Sequence, residues 1–484
     1  MDKKILKNYF YNVLYQVVLI ALPFFTTAYL SRALGLQAIG INSIVTNRVQ
    51  WFTIFGILGV NMYGNREIAK VRDDKKVLSR TFFEIFAMQA MTMALAAIAY
   101  AISLQFESSY VLLSSYQLIA MVGAALDITW FFYGVEDFKK ASLRNIFIKI
   151  LGVSLMFLFV KNPSDLALFI LINIAVNLLG QLIMWLQLKE YISLSKISFS
   201  AVLKHLKPNL ILFAPQLAIN VYQLLNVKML EHFSIPEQVA LYQQSQNFVK
   251  MFLFLITSIG SVVLARVANL SVKEDEKALQ PLLRTVMELA LFLAIPMMAG
   301  ICALVPFFIP WFLPADFQPV TGLILLSSPI ILFISLSNVY GIQYLVPLGK
   351  MKQYTLSVVM GAVVNFVLNL FLLSSHQALG AVIATVAAEF AVILCQWLTV
   401  HKQIKLQPPI AEIAKYVFSS IVMAAVVYGL GVLLKADGTK WVNLFKNAVQ
   451  ALGGVAVYGL LLWLLKSQLL LQVIAKLKRR GEGV

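Results

Sequence analysis

Residues 354–373 read YTLSVVMGAVVNFVLNLFLL and contain no charged side chain. A helix of about 20 residues, rising about 1.5 Å per residue, crosses the hydrocarbon core of a bilayer. The apolar residues do not alternate strictly with polar ones, as they would in a strand of a membrane β-barrel. The stretch therefore predicts a transmembrane α-helix.

Similar stretches run through the whole chain, which is 60% hydrophobic and 13% charged, with a mean hydropathy of +0.82. A soluble domain carries roughly twice that charged fraction. We predict an all-α polytopic membrane protein with about 14 transmembrane helices and loops too short for a soluble domain. The spans lie near 9–30, 40–62, 81–104, 110–134, 143–160, 166–187, 208–230, 239–266, 280–305, 320–346, 354–373, 378–400, 416–434 and 442–465.

Lysine and arginine are concentrated in every second loop and in both tails. The N-terminal tail holds Lys3, Lys4 and Lys7, and the loop after the second span is basic from Arg66 to Arg80. Because loops rich in positive charge stay in the cytoplasm, both termini are predicted to face the cytoplasm. The net charge of +17 suits anionic lipid of the inner leaflet, so we expect no nucleic-acid partner.

The sequence offers no pattern typical of a cofactor site. Both cysteines, Cys302 and Cys395, fall inside predicted spans, and the four histidines are scattered. No metal-ligand spacing and no nucleotide-binding glycine-rich loop is present in the sequence. We therefore predict no metal, no cofactor and no catalytic residue, which excludes most enzyme classes.

Spans four to six align with spans ten to twelve at a constant sequence offset, so that Asp127 matches Asn338 and Lys139 matches Lys350. Parallel repeats around a site near the midplane are typical of transporters. We predict two six-helix lobes related by pseudo-two-fold symmetry, at 1–200 and 201–405. Two extra helices and a basic cytoplasmic tail follow at 406–484.

Charged and amide side chains recur inside the spans, although an ionised group in lipid costs at least about 2.5–3.5 kcal/mol. Arg48 and Lys250 lie four to five helical turns before Arg66 and Arg266, respectively, which places both in the outer half of the membrane. Cations there suit a diphosphate, and amides suit a sugar chain. The residues predicted to line a substrate cavity are Arg32, Arg48, Lys228, Lys250, Asn47, Gln216, Asn220, Gln223, Gln246 and Asn247.

Simpler explanations exist for several of these residues. Arg32 can extend to the outer interface, and Lys228 can pair with Glu231, three residues on. Asparagine stripes, such as the one that includes Asn173 and Asn177, often form hydrogen bonds between helices.

Other ionisable groups are predicted to have different roles. Glu389, about midway along its span, and Asp127 are candidate ion-coupling groups. Asp127 and Lys149 lie nearer the inner face, where we expect local ion pairs.

The stretch DITWFFYGVEDFKK at 127–140, with the residues that follow it, resembles the signature of Wzx-type polysaccharide repeat-unit flippases. These belong to the multidrug/oligosaccharidyl-lipid/polysaccharide exporter superfamily. SRALG at 31–35, GNREIA at 64–69 and PLGK at 347–350 support the resemblance, which covers essentially the whole chain. The motif residues are Asp127, Trp130, Gly134, Glu136, Phe138, Lys139, Arg144, Asn145 and Lys149.

The resemblance implies a flippase of the bacterial cytoplasmic membrane with a cationic central cavity. Its substrate would be an undecaprenyl-diphosphate-linked oligosaccharide, moved from the inner to the outer leaflet by alternating access. Membrane lipids, a polysaccharide polymerase and a chain-length regulator are the expected partners, and a proton or sodium gradient is a candidate driving force.

Two alternatives stay open at this point. A peptidoglycan-precursor flippase would use the same carrier lipid. A drug/cation antiporter of the same superfamily would need an acidic cavity, whereas the deep charges here are mainly basic.

Overall fold

The computed structural model describes residues 22–272, 276–404, 409–435 and 438–472. The described residues form helices joined by short turns, with no strand among them. This confirms the prediction of an all-α protein. The inner part of the first predicted span, up to residue 21, lies outside the described residues.

The chain divides into two compact units, 1–240 and 241–484. The first unit contains α1 (22–33), α2 (Gly35–Ile57), α3 (Val60–Val71), α4 (Lys75–Ser103), α5 (Val111–Ala125), α6 (Thr129–Gly134), α7 (Phe138–Phe159), α8 (Leu166–Leu188), α9 (Phe199–Lys204) and α10 (Leu206–Phe233). The boundary falls near the start of α11 (Pro236–Val272). The second unit continues with α12 (Glu276–Phe312), α13 (Val320–Ser327), α14 (Pro329–Ser337), a π-helical segment (Asn338–Leu345), α15 (Met351–His401), α16 (Ile410–Leu434) and α17 (Lys440–Leu464).

Each predicted span from the second onward coincides with a helix, with part of a long helix, or with shorter helices separated by a break. Among the described residues, eight helices, or nine with one bent pair, are long and apolar enough to cross a membrane by themselves. About 14 spans remain compatible with this count, because α15 alone holds the eleventh and twelfth spans and most of the first lies outside the described residues. Helices α2, α10 and α11, with 23, 28 and 37 residues, are long enough to hold the second, seventh and eighth spans. The predicted loop between spans eleven and twelve appears inside α15, where Gln377 has a φ of 47°.

Large apolar side chains on the outside of both units support a membrane location. Leu95, Leu186, Phe371 and Leu433 are 63%, 66%, 73% and 80% exposed. Exposed apolar surface on this scale is unfavourable in water and is matched by lipid chains. The chain is therefore a multi-pass membrane protein.

The predicted lobe boundary at 200 and the observed boundary at 240 differ by one long helix. Helix α10 packs on α2 and α3 of the first unit. Asn47 donates from Nδ2 to the carbonyl of Leu224 at 3.1 Å, which ties the two helices together. Hydropathy locates α10 as a span but carries no information about the helices that it packs against.

The two sequence repeats interrupt their helices at matching positions. In the first unit, α5 ends at Ala125 and α6 begins at Thr129, on either side of Asp127. In the second unit, the π-helical segment begins at the matching residue, Asn338. A broken helix exposes backbone carbonyls that lipid cannot satisfy.

In the first unit, side chains of neighbouring helices donate hydrogen bonds to the backbone carbonyls that the break leaves unpaired. Gln89 donates from Nε2 to the carbonyls of Ala125 and Asp127, at 3.0 and 2.9 Å. Trp185 donates from Nε1 to the carbonyl of Leu126 at 2.9 Å. These bonds explain why Gln89, in the middle of an apolar helix, is buried.

Helices α7 and α8 form an antiparallel hairpin with a short turn. Asp165 accepts the backbone N–H groups of Lys161 and Asn162 at 2.8 and 2.9 Å, and these two bonds hold the pKa of its carboxyl below the ordinary value. Arg144 donates from Nε to the carbonyl of Gly180 at 2.9 Å, across the two helices. The turn and this bond together fix which residues of α7 and α8 lie at the same depth.

A core of aromatic residues holds α3, α4 and α6 together. Trp130 is 1% exposed and donates from Nε1 to Oε1 of Gln89 at 3.0 Å. Gly64 has no side chain, and this leaves room for Trp130, because a Cβ at position 64 would lie 2.5 Å from the indole. Gly134 packs in the same way against Ile68.

We expect Gly134→Ala to lower the thermal unfolding midpoint of the purified protein in detergent. The added Cβ would lie 2.6 Å from Cβ of Ile68 and 2.9 Å from the carbonyl of Asn65, neither of which moves easily. Such overpacking costs about 1–3 kcal/mol. Gly429→Ala is the matched control, because no heavy atom lies within 4 Å of its added Cβ. Equal midpoints for the two variants would contradict this packing.

Candidate functional site

Arg48 is held by two carboxylates in the first unit. Its Nη2 lies 2.9 Å from Oε2 of Glu107, and its Nε donates to Oε1 of Glu231 at 3.0 Å. A further bond from Nη1 reaches the carbonyl of Ser109 at 2.7 Å. The Arg48 side chain is only 4% exposed.

Lys228 completes the group, with Nζ at 3.1 Å from Glu107 and 3.3 Å from Glu231. We call these four residues, Arg48, Glu107, Lys228 and Glu231, the ion-pair cluster. It joins α2, α10 and the loop between α4 and α5, and its two positive charges match its two negative ones. Removing one member would leave an uncompensated charge, which is costly at low dielectric.

The ion-pair cluster bears on the prediction that Arg48 and Lys228 line a substrate cavity, and their contact with substrate stays a prediction. Both residues border a cavity of about 370 Å³, whose wall is otherwise largely aromatic and includes Trp51, Phe52 and Tyr100. Their charge, however, is neutralised. The alternative pairing of Lys228 with Glu231 is confirmed.

The structure places the other predicted residues of the first unit in varied surroundings. Arg32 is exposed and donates from Nη1 to the carbonyl of Ala28 in its own helix at 2.7 Å. Asn220 is exposed and Gln223 is half-buried on α10, while the side chain of Gln216 lies outside the described residues. Their contact with substrate stays a prediction.

In the second unit, Lys250 on α11 and Glu389 on α15 lie close enough for their charges to interact. Lys250 is exposed and Glu389 is 6% exposed. Lys250 lies about four helical turns after Pro236, and Glu389 lies just over three turns after the break at Gln377. At about 1.5 Å per residue these are similar depths, about 21 and 18 Å below the start of each segment.

Two hydrogen bonds fix the surroundings of this pair within the second unit. The hydroxyls of Tyr242 and Thr385 lie 3.1 Å apart, two turns before Lys250 and one turn before Glu389. The amide of Gln246 donates to the hydroxyl of Ser327 at 3.1 Å and is buried. Asn247 is exposed and accepts a bond from Gln243 at 3.0 Å.

Most motif residues of α6 and α7 hold the first unit together. Asp127 accepts the N–H of Thr129 at 2.9 Å, and Glu136, with a φ of 60°, pairs with Arg72 at 2.6 Å. Arg144 donates to Oδ1 of Asn145 in addition to its bond with Gly180. Lys139 is exposed, and the side chain of Phe138 lies outside the described residues.

Lys149 differs from the other motif residues and from the sequence expectation. The predicted span began at 143, but α7 begins at Phe138, so Lys149 lies halfway between the two ends of the helix, Phe138 and Phe159. It is therefore central in the candidate membrane span Lys139–Phe159. Among the described residues it has no ion pair, so the expected local pairing is not found there.

The chain matches one protein family and is similar in sequence to two proteins named as transporters. The family described as "Polysaccharide biosynthesis protein" matches residues 5–265. The chain is 24% identical over 392 residues to the protein named "Putative O-antigen transporter" of Escherichia coli (strain K12), covering 78% of this chain and 93% of that protein. A protein of the same name from Shigella dysenteriae is 25% identical over 381 residues, with coverages of 77% and 94%.

One solved structure, "Lipid II flippase MurJ, inward closed conformation", superimposes with a TM-score of 0.75 at 15% identity. The match covers 96% of this chain and 99% of that chain. An inward-facing multidrug resistance transporter of the MATE family follows with a TM-score of 0.62 at 12% identity, covering 81% and 98%. At these identities the likeness shows the fold alone.

We expect Arg48→Met to destabilise the protein strongly, because Glu107 and Glu231 would lose their main counter-charge. Breaking a buried ion pair from one side costs about 3–5 kcal/mol. The matched control is Arg72→Met, which removes an arginine from an exposed pair with Glu136 and should change little. Thermal unfolding of the purified variants in detergent measures both effects.

The double variant Arg48→Met with Glu231→Gln tests the same cluster from the other side. It removes one charge of each sign and leaves Lys228 paired with Glu107, so it should recover part of the stability lost in Arg48→Met. Equal midpoints for Arg48→Met and Arg72→Met would show that the cluster contributes nothing.

Proposed function

The chain belongs to the polysaccharide biosynthesis protein family, and from this premise we propose that it flips an undecaprenyl-diphosphate-linked oligosaccharide repeat unit from the inner to the outer leaflet. Its relatives are transporters and flippases, which agrees with the resemblance to Wzx-type flippases and makes the chain a membrane transporter rather than an enzyme. We further propose the bacterial cytoplasmic membrane as its location, with both termini in the cytoplasm, because basic residues are concentrated in alternate loops. A polysaccharide polymerase and a chain-length regulator are the proposed protein partners.

The observation that best supports this substrate is that the acidic residues near the proposed site are matched by basic ones. Glu107, in the loop after α4, and Glu231, near the end of α10, both pair with Arg48, and the charge of Glu389 interacts with that of Lys250. An antiporter of cationic drugs would need an acidic group that could accept the drug. Basic and amide groups instead suit a diphosphate and a glycan.

Transport on this proposal requires no covalent chemistry. The diphosphate and sugars occupy the polar interior while the prenyl chain stays in lipid, because moving bare charge through hydrocarbon is prohibitive. Alternating access would require α10 to separate from α2, and the ion-pair cluster would then open. Its four charges would become available to the head group in only part of the cycle.

We also propose that the Lys250–Glu389 pair couples transport to a proton or sodium gradient. Binding of an anion to Lys250 would compete with Glu389, which could then take up a cation. In proteoliposomes, an imposed gradient should change the flipping rate of the wild type and not that of Glu389→Gln. A variant that responds to the gradient as the wild type does would contradict this role. Asp127, which caps α6, is the weaker candidate.

The peptidoglycan-precursor flippase is the second candidate, favoured by the fold shared with a lipid II flippase. Proteoliposomes containing the purified full-length chain separate the candidates. Three probes are needed: undecaprenyl diphosphate carrying a labelled N-acetylhexosamine disaccharide, lipid II, and a fluorescent organic cation. We expect flipping of the first probe at a rate well above that of empty liposomes. Transport of only lipid II, or of only the cation, would overturn the proposal.

In the same assay we expect Lys250→Met to reduce flipping by about ten-fold or more, since a hydrogen bond to a charged group contributes about 1.5–3 kcal/mol. Lys352→Met is the matched control, because Lys352 is an exposed lysine near the start of α15 in the same unit. Equal rates for Lys250→Met and Lys352→Met would remove Lys250 from the site and leave the family assignment intact.

A further inference from the structure

Two adjoining cavities lie among the helices of the first unit, away from the ion-pair cluster. One of about 450 Å³ lies between α2, α5 and α8, and one of about 250 Å³ lies between α1, α7 and α8. They share Phe169, Asn173 and Asn177 as lining residues, so they meet at α8. We call them together the amide chamber; its amide and hydroxyl side chains are Thr26, Asn42, Thr46, Gln117, Asn173, Asn177 and Gln181.

The polar residues of the amide chamber lie at the middle of their helices. Asn177 is the central residue of α8, and Lys149 occupies the corresponding place in α7. The bond between Arg144 and Gly180 sets the register of the α7–α8 hairpin, so the middle of α7 lies beside the middle of α8. Lys149 lines the smaller cavity beside Asn173 and Asn177.

Hydrogen bonds between helices do not account for the two asparagines. Asn173 donates from Nδ2 to the carbonyl of Phe169 at 2.9 Å, and Asn177 donates to the carbonyl of Asn173 at 2.7 Å. Both bonds stay within α8, so the expected interhelical role is wrong for these residues. Each carbonyl oxygen and second N–H can therefore serve a bound molecule or water.

Lys149 is exposed, lines the amide chamber and has no ion pair among the described residues. Residues 1–21, which are not described, contain a single acidic residue, Asp2, seven positions before the first predicted span. A lysine at this depth needs an anion or water to be tolerated. It contrasts with Arg48 and Lys228, whose charges are already matched.

We propose that the amide chamber binds an anionic, hydroxylated group, with Lys149 as the counter-charge and the amides of α2, α5 and α8 as partners for hydroxyls. The proposal rests on the proposed function and makes Lys149 a substrate-binding residue of the first unit. Two parts of a lipid-linked oligosaccharide carry this chemistry. They are the diphosphate with its attached sugar, and an acidic sugar of the glycan.

Four probes distinguish these sources when their dissociation constants are measured with the full-length protein in lipid nanodiscs. They are undecaprenyl diphosphate with its neutral counterpart undecaprenol, and methyl glucuronide with its neutral counterpart methyl glucoside. We expect at least one anionic probe to bind more tightly than its neutral counterpart, and equal binding within both pairs would overturn the proposal. Tighter binding of the diphosphate than of undecaprenol identifies the carrier head group, and tighter binding of glucuronide than of glucoside identifies an acidic sugar.

Lys149→Met should weaken binding of the anionic probe by about ten-fold or more, and Lys149→Arg should stay within about three-fold of the wild type. Asn177→Asp keeps the size of the side chain but places a carboxylate beside Lys149. It should therefore cause a similar loss without removing the lysine. Lys189→Met is the matched control, because Lys189 is an exposed lysine at the end of α8, outside the chamber.

Unchanged binding in both Lys149→Met and Asn177→Asp would overturn the proposal, as would an equal loss in Lys189→Met. Flipping by the wild type is measured separately. If the wild type and Lys149→Met flip the labelled lipid equally well, this inference is contradicted and the proposed function stands. A wild type that flips no lipid-linked sugar would sink the proposed function instead.

Discussion

Hydrocarbon offers no partner for a charge or an amide, so every polar side chain inside the membrane needs a counter-charge or access to water. The first unit meets this constraint in two ways. Arg48 and Lys228 are neutralised by Glu107 and Glu231, which also fasten α10 to α2. Lys149 instead opens onto the amide chamber.

The helices could be predicted from the sequence because hydropathy reports contact with lipid directly. The break at Gln377 was also predictable, because it falls in the loop expected between spans eleven and twelve. The interruptions at Asp127 and Asn338 were not, because both residues fall inside the predicted spans 110–134 and 320–346. Which helices pack together could not be predicted from the sequence. The placement of α10 depends on the bond from Asn47 and on the ion-pair cluster, and neither leaves a periodic signal in the sequence.

The site was predicted in part. The depth of Arg48 and the pairing of Lys228 with Glu231 could be found by counting residues along helices. Glu107 was missed, because it lies in the loop after α4 and meets Arg48 only in three dimensions. Lys149 was misplaced, because α7 begins at Phe138, more than a turn further inward than its apolar stretch. A charged residue at the end of a hydropathy peak can thus be central in the helix.

The central claim is that polar residues at the midplane of the first unit face water inside the protein rather than lipid. Labelling with a charged, membrane-impermeant maleimide in nanodiscs tests it, using a chain in which Cys302 and Cys395 are replaced by alanine. We expect a cysteine at position 177, in the amide chamber, to react readily. A cysteine at position 179, where Leu179 is 40% exposed and lines neither cavity, should stay unlabelled. An unreactive cysteine at 177 would contradict the claim.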